Sequence, residues 1–259
     1  MQRFNFVAAT ILGTSLSIGL AAAMPAAHAM SLIPQQEGEI DLTNMNCIVE
    51  AKDCIQTEPM GFTVTSQAFD SQFGLSRLFV DRNATENTWG PQGTIKFTFK
   101  DEGTNPISQE YWYRPVAYLA NGTVVEDGRL EVGRFLFDLQ KAYSAVELNF
   151  YDVEDNYFSG VLEVNGTEVS NLLPGQGKED NSSTKTLVLN NVSSFVVQMG
   201  NPGTAFGNNS SIFTTGDGVR LSGLAAKTAI PEPTTTLGLG LMTVAGLFGL
   251  SRKKLSKVG

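Results

Sequence analysis

Between residues 61 and 224 apolar and polar side chains alternate with a period of two, the spacing of strands that bury one face. Residues 94–100 alternate strictly, with Ile95, Phe97 and Phe99 on one face and Thr94, Lys96, Thr98 and Lys100 on the other. Residues 145–152 repeat the pattern, Val146, Leu148 and Phe150 pointing inward while Glu147 and Asn149 point out. Residues 161–164 and 167–169 flank Asn165-Gly166, which predicts a hairpin closed by a type I′ turn. Asn121-Gly122 and Asp127-Gly128 offer the same turn chemistry. Further strands are expected over 62–69, 77–80, 110–119, 129–137, 186–189, 194–199 and 219–224. Between the chain ends no stretch carries a helical apolar stripe longer than about two turns, although 135–143 leaves room for a short helix or turn. Many short strands separated by turn residues predict an all-β domain over 61–228, an antiparallel β-sandwich of jelly-roll-like type. Residues 30–60 read as a looser N-terminal arm, and 171–184 and 201–211 as polar loops.

The ends have a different pattern. Residues 1–29 read as a cleaved signal peptide: Arg3 is the positive start, 7–24 form the apolar stretch, and Ala27-His28-Ala29 is a small-x-small cleavage site. At the other end, residues 229–259 contain Pro231-Glu232-Pro233, then a charge-free apolar stretch at 234–250, then Arg252, Lys253, Lys254 and Lys257. As a helix the apolar stretch is about 26 Å long, enough for a thin hydrocarbon core. The basic cluster would stay cytoplasmic and leave everything before Pro231 outside.

This order of motif, apolar helix and basic tail resembles the PEP-CTERM sorting signal of Gram-negative envelope proteins. The resemblance implies Sec export and processing by an exosortase, a membrane protease-transpeptidase, at or near Pro231-Glu232-Pro233. It also implies a transient inner-membrane anchor and a final place in the envelope, on the surface or in the extracellular matrix. Proteins with this signal accompany exopolysaccharide and biofilm gene sets. Leu130-Glu131-Val132-Gly133, directly after the Asp127-Gly128 turn, also resembles the LEVG family of such proteins. That family supplies no established chemistry.

Charge and composition narrow the options. The chain has 18 basic and 26 acidic residues. Leaving out 1–29 and 231–259 removes Arg3, Arg252, Lys253, Lys254, Lys257 and Glu232, so 13 basic and 25 acidic side chains remain, a net charge of −12. Such a surface repels phosphate backbones and disfavours nucleic acid. It suits divalent cations and neutral polysaccharides. The only histidine, His28, lies in the signal peptide, so the exported part has no Ser-His-Asp triad, Cys-His dyad or His-ligated zinc. Cys47 and Cys54, an even pair in an oxidising compartment, predict one disulfide. A loop this small stabilises by about 2.5 kcal/mol in the chain-entropy model.

Two sets of residues are candidates for binding. Asp152, Glu154 and Asp155 follow an alternating strand and Asp217 sits in a late turn, an acidic arrangement of the kind that holds a structural calcium. Trp89 and Trp112, the latter within Tyr111-Trp112-Tyr113, are flat rings able to stack on pyranose C–H faces. No motif pairs two carboxylates for glycoside hydrolysis, and there is no Gly-x-Ser-x-Gly elbow or phosphate loop. The expectation is a non-enzymatic envelope or matrix protein with a structural or adhesive role, associated with exopolysaccharide. A calcium-stabilised carbohydrate-binding module is the alternative, and a glycan-active hydrolase a distant third.

Overall fold

The computed structural model describes residues 29–70, 72–83, 85–98, 110–177, 184–203 and 218–227. Ala27, Asp217, the Pro231-Glu232-Pro233 motif, the apolar stretch after it and Arg252, Lys253 and Lys254 lie outside the described residues. Among the described residues no helix is long and apolar enough to cross a membrane.

The chain is all-β. Two long strands form its centre, β9 (Gly133–Tyr151) and β12 (Thr184–Met199). They pair antiparallel from Gly133 opposite Met199 to Tyr151 opposite Thr184, with one register shift between Val192 and Ser194. The other edge of β9 is shared. Its first half pairs with β4 (Phe62–Gln67), and its second half with β13 (Arg220–Lys227). Beyond β12 the sheet continues into the hairpin of β10 (Gly160–Val164) and β11 (Thr167–Leu172). Beyond β13 it continues through β8 (Tyr111–Val116), β5 (Arg77–Arg82), β2 (Gly38–Ile40) and β3 (Cys54–Ile55). The β2–β3 pairing is parallel, and β1 (Ala29–Ser31) joins β13. A two-stranded ribbon of β6 (Asn87–Trp89) and β7 (Ile95–Phe97) stands apart from this eleven-stranded sheet.

Alternation explains the core. Phe135, Phe137 and Leu139 on β9 are buried together with Phe62 and Val64 on β4 and Phe195 and Val197 on β12. Phe137 stacks on Phe195 at 5.0 Å with the rings 3° apart, and Phe62 lies 6.1 Å away on the other side. Tyr113 of β8 meets Phe137 edge-on at 5.6 Å, although β8 and β9 share no ladder. One apolar core thus draws side chains from β2, β3, β4, β5, β8, β9, β10, β12 and β13. Strands β5 and β8 are buried on both faces. Their inner face carries Leu78, Val80 and Tyr113, and their outer face packs Phe79 and Val116 against Ile95 and Phe97 of the ribbon.

Three expectations need correction. Residues 135–143 are strand, not helix or turn, because Phe135, Phe137, Leu139 and Tyr143 all point into the core as β9 passes from one half of the sheet to the other. Residues 30–60 are not a loose arm: β1, β2 and β3 belong to the sheet, and Leu32, Ile33, Ile40, Leu42 and Ile55 are buried. The separate strands expected at 186–189 and 194–199 are one strand, β12. The Asn165-Gly166 turn is as expected, with φ of 52° and 73°, both in the left-handed region that a type I′ turn requires. The disulfide between Cys47 and Cys54 is present, its Cα atoms 6.0 Å apart.

Candidate functional site

The residues 130–133 lie at the densest polar feature of the molecule. Leu130 and Val132 pack into a small core with Phe73, Ala117 and Val125, which turns the intervening Glu131 the opposite way. Its carboxylate is buried between two arginines. Arg114 Nη2 lies 2.8 Å from Glu131 Oε1, and Arg220 Nη2 lies 3.1 Å from Oε2. Arg114 also donates to Asp81 at 2.8 Å, and Arg220 Nη1 lies 3.6 Å from Asp152. Three carboxylates and two guanidiniums thus alternate in one buried chain, Asp81–Arg114–Glu131–Arg220–Asp152. The Phe97 ring covers the Arg114 guanidinium at 4.1 Å and closes it off from solvent. A chain of alternating charges this deeply buried has no room for a substrate. Its effect is to fix β5, β8, β13 and the 126–132 segment in one arrangement.

A second buried carboxylate ties down the N-terminal strands. Glu39 of β2 accepts from Arg77 and from the backbone N–H groups of Ile48 at 2.7 Å and Val49 at 3.3 Å. Burial pushes its carboxyl above the ordinary value, with Arg77 pulling the other way. Beside this anchor an open cavity of about 490 Å³ is lined by Ser31, Gln35, Gln36, Gln56 and Met60.

Of the expected calcium ligands, Asp152, Glu154 and Asp155 do not form a group of three side chains within reach of one ion among the described residues. Asp152 is buried against Arg220. Asp155 accepts from Asn201 Nδ2 at 2.8 Å, and the backbone carbonyl of Glu154 accepts from Gly177 N–H at 3.0 Å. Asp217 lies outside the described residues. Among the described residues, the one group of three metal-ligand side chains within reach of a single ion is Asp41, Cys47 and Cys54. Its two sulfurs are joined to each other, which leaves no thiolate for a metal.

The two rings expected to meet glycan differ in exposure from a free stacking face. Trp112 is 1% exposed, a fully buried side chain on the face of β8 that also carries Arg114 and Val116, so it offers no ring to a ligand. Trp89 is half-buried against Phe79, 6.1 Å between ring centroids. Among the described residues the exposed rings are Tyr157 at 63% and Phe158 at 38%, in the loop between β9 and β10. Sequence reasoning passed over them, yet a signal was there: two aromatics inside the polar run Glu154-Asp155-Asn156-Tyr157-Phe158-Ser159-Gly160 lie off any alternating strand.

No family model, curated protein or solved structure matches this chain.

Proposed function

We propose that the chain is an exported envelope or extracellular-matrix protein, processed by an exosortase, that acts as a structural or adhesive component without catalysing a reaction. The observation that carries this reading is the fixed order of Pro231-Glu232-Pro233, an apolar stretch and a basic tail. The architecture is compatible with it. Strand β13 ends at Lys227, four residues before Pro231, and an extended chain over that distance reaches at most about 14 Å. An enzyme cutting at the motif therefore works beside a domain stiffened by a disulfide and by buried ion pairs. The contact of Tyr113 with Phe137, between strands that share no ladder, supports the finer reading of a two-layer, jelly-roll-like sandwich.

Pro231→Ala and Glu232→Ala together, expressed in the native host, test the assignment. The expected result is accumulation of unprocessed chain in the inner-membrane fraction and loss of the released form. Unchanged processing would remove the exosortase from the account.

A second reading, carbohydrate binding, is favoured by one observation, the exposed pair Tyr157 and Phe158. In this reading calcium has no assigned part, since Asp152 is already paired with Arg220.

A further inference from the structure

We infer that the loop between β9 and β10 is a binding site for a neutral polysaccharide, with Tyr157 as the main stacking ring and Phe158 as its neighbour. The inference rests on the reading that this domain is displayed outside the cell, where such polymers are met.

Three observations converge. First, both rings are exposed, on a protein whose other exposed large apolar side chains among the described residues are Met30, Val169 and Val188. Tyr157 leaves most of its surface in solvent and Phe158, mostly covered, adds its exposed part beside it, so the two neighbours form a contiguous apolar patch, the kind of surface feature that marks a binding site.

Second, the loop is held rigid. Tyr157 N–H donates to Leu173 O at 2.8 Å, Leu173 N–H donates to Ser159 O at 2.8 Å, and Gln198 Nε2 donates to Phe158 O at 2.7 Å. The rings are therefore presented on a fixed backbone, and little freedom is lost on binding. Tyr157 also has φ of 63°, a left-handed conformation that is unfavourable for a bulky side chain and natural for glycine. Folding alone favours glycine here. The chain carries a tyrosine.

Third, the surroundings suit a sugar better than a protein or an ion. Asn156 is exposed next to the rings, and Asp155 with Asn201 lies on the same loop base. A pyranose offers an apolar C–H face to a ring and hydroxyls to neighbouring amides and carboxylates. A protein partner wants about 800 Å² of surface with an apolar centre, more than two rings provide. An anionic polymer would meet the carboxylates of Glu154 and Asp155 and the net negative surface.

Affinity electrophoresis of the full chain tests this, in a non-ionic detergent without a sugar headgroup. The gels contain dextran, galactomannan, mixed-linkage β-glucan, alginate or no polymer. The expected result is retardation in at least one neutral gel and none in alginate. Tyr157→Gly is the informative variant: it relieves the left-handed strain, so its urea midpoint should equal or exceed that of the unaltered chain. Its affinity for the retarding polymer should fall about two- to tenfold, while Tyr157→Trp keeps it. The proposal is overturned by unretarded migration in all three neutral gels. It is equally overturned by full retardation of a folded Y157G/F158A double variant, or by a ring-dependent shift in the polymer-free gel, which would assign the rings to self-association. None of these outcomes depends on tail processing, so failure here leaves the exosortase reading standing, and failure there leaves this one.

Discussion

Ala29 and Lys227 are register partners across the antiparallel β1–β13 ladder, so the first and last described residues of the chain lie side by side. The two expected processing points, after Ala29 and beyond Lys227, thus leave the sheet at the same place. Docking of β1 needs β13, the last of the described strands to be synthesised. The chain just after Ala29 is well held: Leu32 N–H donates to Leu224 O at 2.7 Å, and the Tyr113 hydroxyl donates to Leu32 O at 2.6 Å.

The Leu32 amide should accordingly exchange with deuterium as slowly as the β9–β12 core, unlike that of a frayed terminus. Tyr113→Phe removes a buried donor to Leu32 O and should speed that exchange by about two- to tenfold, in line with about 0.5–1.5 kcal/mol for the lost bond. Fast exchange at Leu32 in the unaltered chain would mean that β1 is not held by β13.

Glu131 sits between Arg114 and Arg220 with all three side chains buried, so removing its charge leaves two guanidiniums short of a counter-ion. Glu131→Gln should destabilise the fold by about 3–5 kcal/mol, measured as a shift in urea midpoint at constant slope. Replacing Glu131 by Leu together with Arg114 by Met should cost less than the sum of the two single changes, by about 0.5–3 kcal/mol. Additive losses would show that the two side chains do not act as a pair.

How far this could be read from the sequence depends on whether a feature is local. Alternation placed Ile95, Phe97, Val146, Leu148 and Phe150 inward correctly, because strand facing depends only on neighbours in the chain. The break expected after Phe137 was misleading. The stretch 138–144, where charged and amide side chains interrupt the apolar alternation, reads as a turn, yet it is where β9 crosses from β4 to β13 as partner. The burial of Val116 and of the Arg114 guanidinium depends on a ribbon that closes over β8 from elsewhere in the chain, with Ile95 and Phe97 against them. The ionic chain was illegible for the same reason. Asp81 and Arg114 are 33 residues apart and Glu131 and Arg220 are 89 apart, and each is an ordinary surface-type charge until the sheet brings them together.

Gly133, the last residue of the Leu-Glu-Val-Gly run, owes its identity to close packing. A Cβ built there would lie 2.6 Å from the Phe135 ring and 3.0 Å from the Ser76 Cβ. Ser76 is itself held, its hydroxyl donating to Val132 O at 2.9 Å. Gly133→Ala should therefore cost about 1–3 kcal/mol by overpacking, even though alanine suits a strand better than glycine does. A thermal scan showing no loss would mean that the Phe135 ring moves aside freely.

Two buried acids give the protein an unusual pH dependence. Burial raises the Glu39 carboxyl above its ordinary 4.5 against the pull of Arg77, and raises the Tyr113 hydroxyl well above 10.0. Each group holds its proton more tightly in the folded state than in the unfolded one. In the window above its ordinary value the folded state binds more protons, so stability falls as pH rises. For Glu39 the contribution is intact below pH 4.5 and is lost as pH rises through the raised folded value. For Tyr113 the loss begins as pH passes 10.0. Glu39→Gln removes the first of these slopes and Tyr113→Phe the second, whatever either substitution does to absolute stability. Urea titrations from pH 4 to 11 on the three chains should therefore differ in slope just above pH 4.5 for E39Q and above pH 10 for Y113F. Parallel curves in the acid window would show that Arg77 and the Ile48 and Val49 amides fully offset the burial of Glu39. Parallel curves in the alkaline window would show that Tyr113 gains access to water.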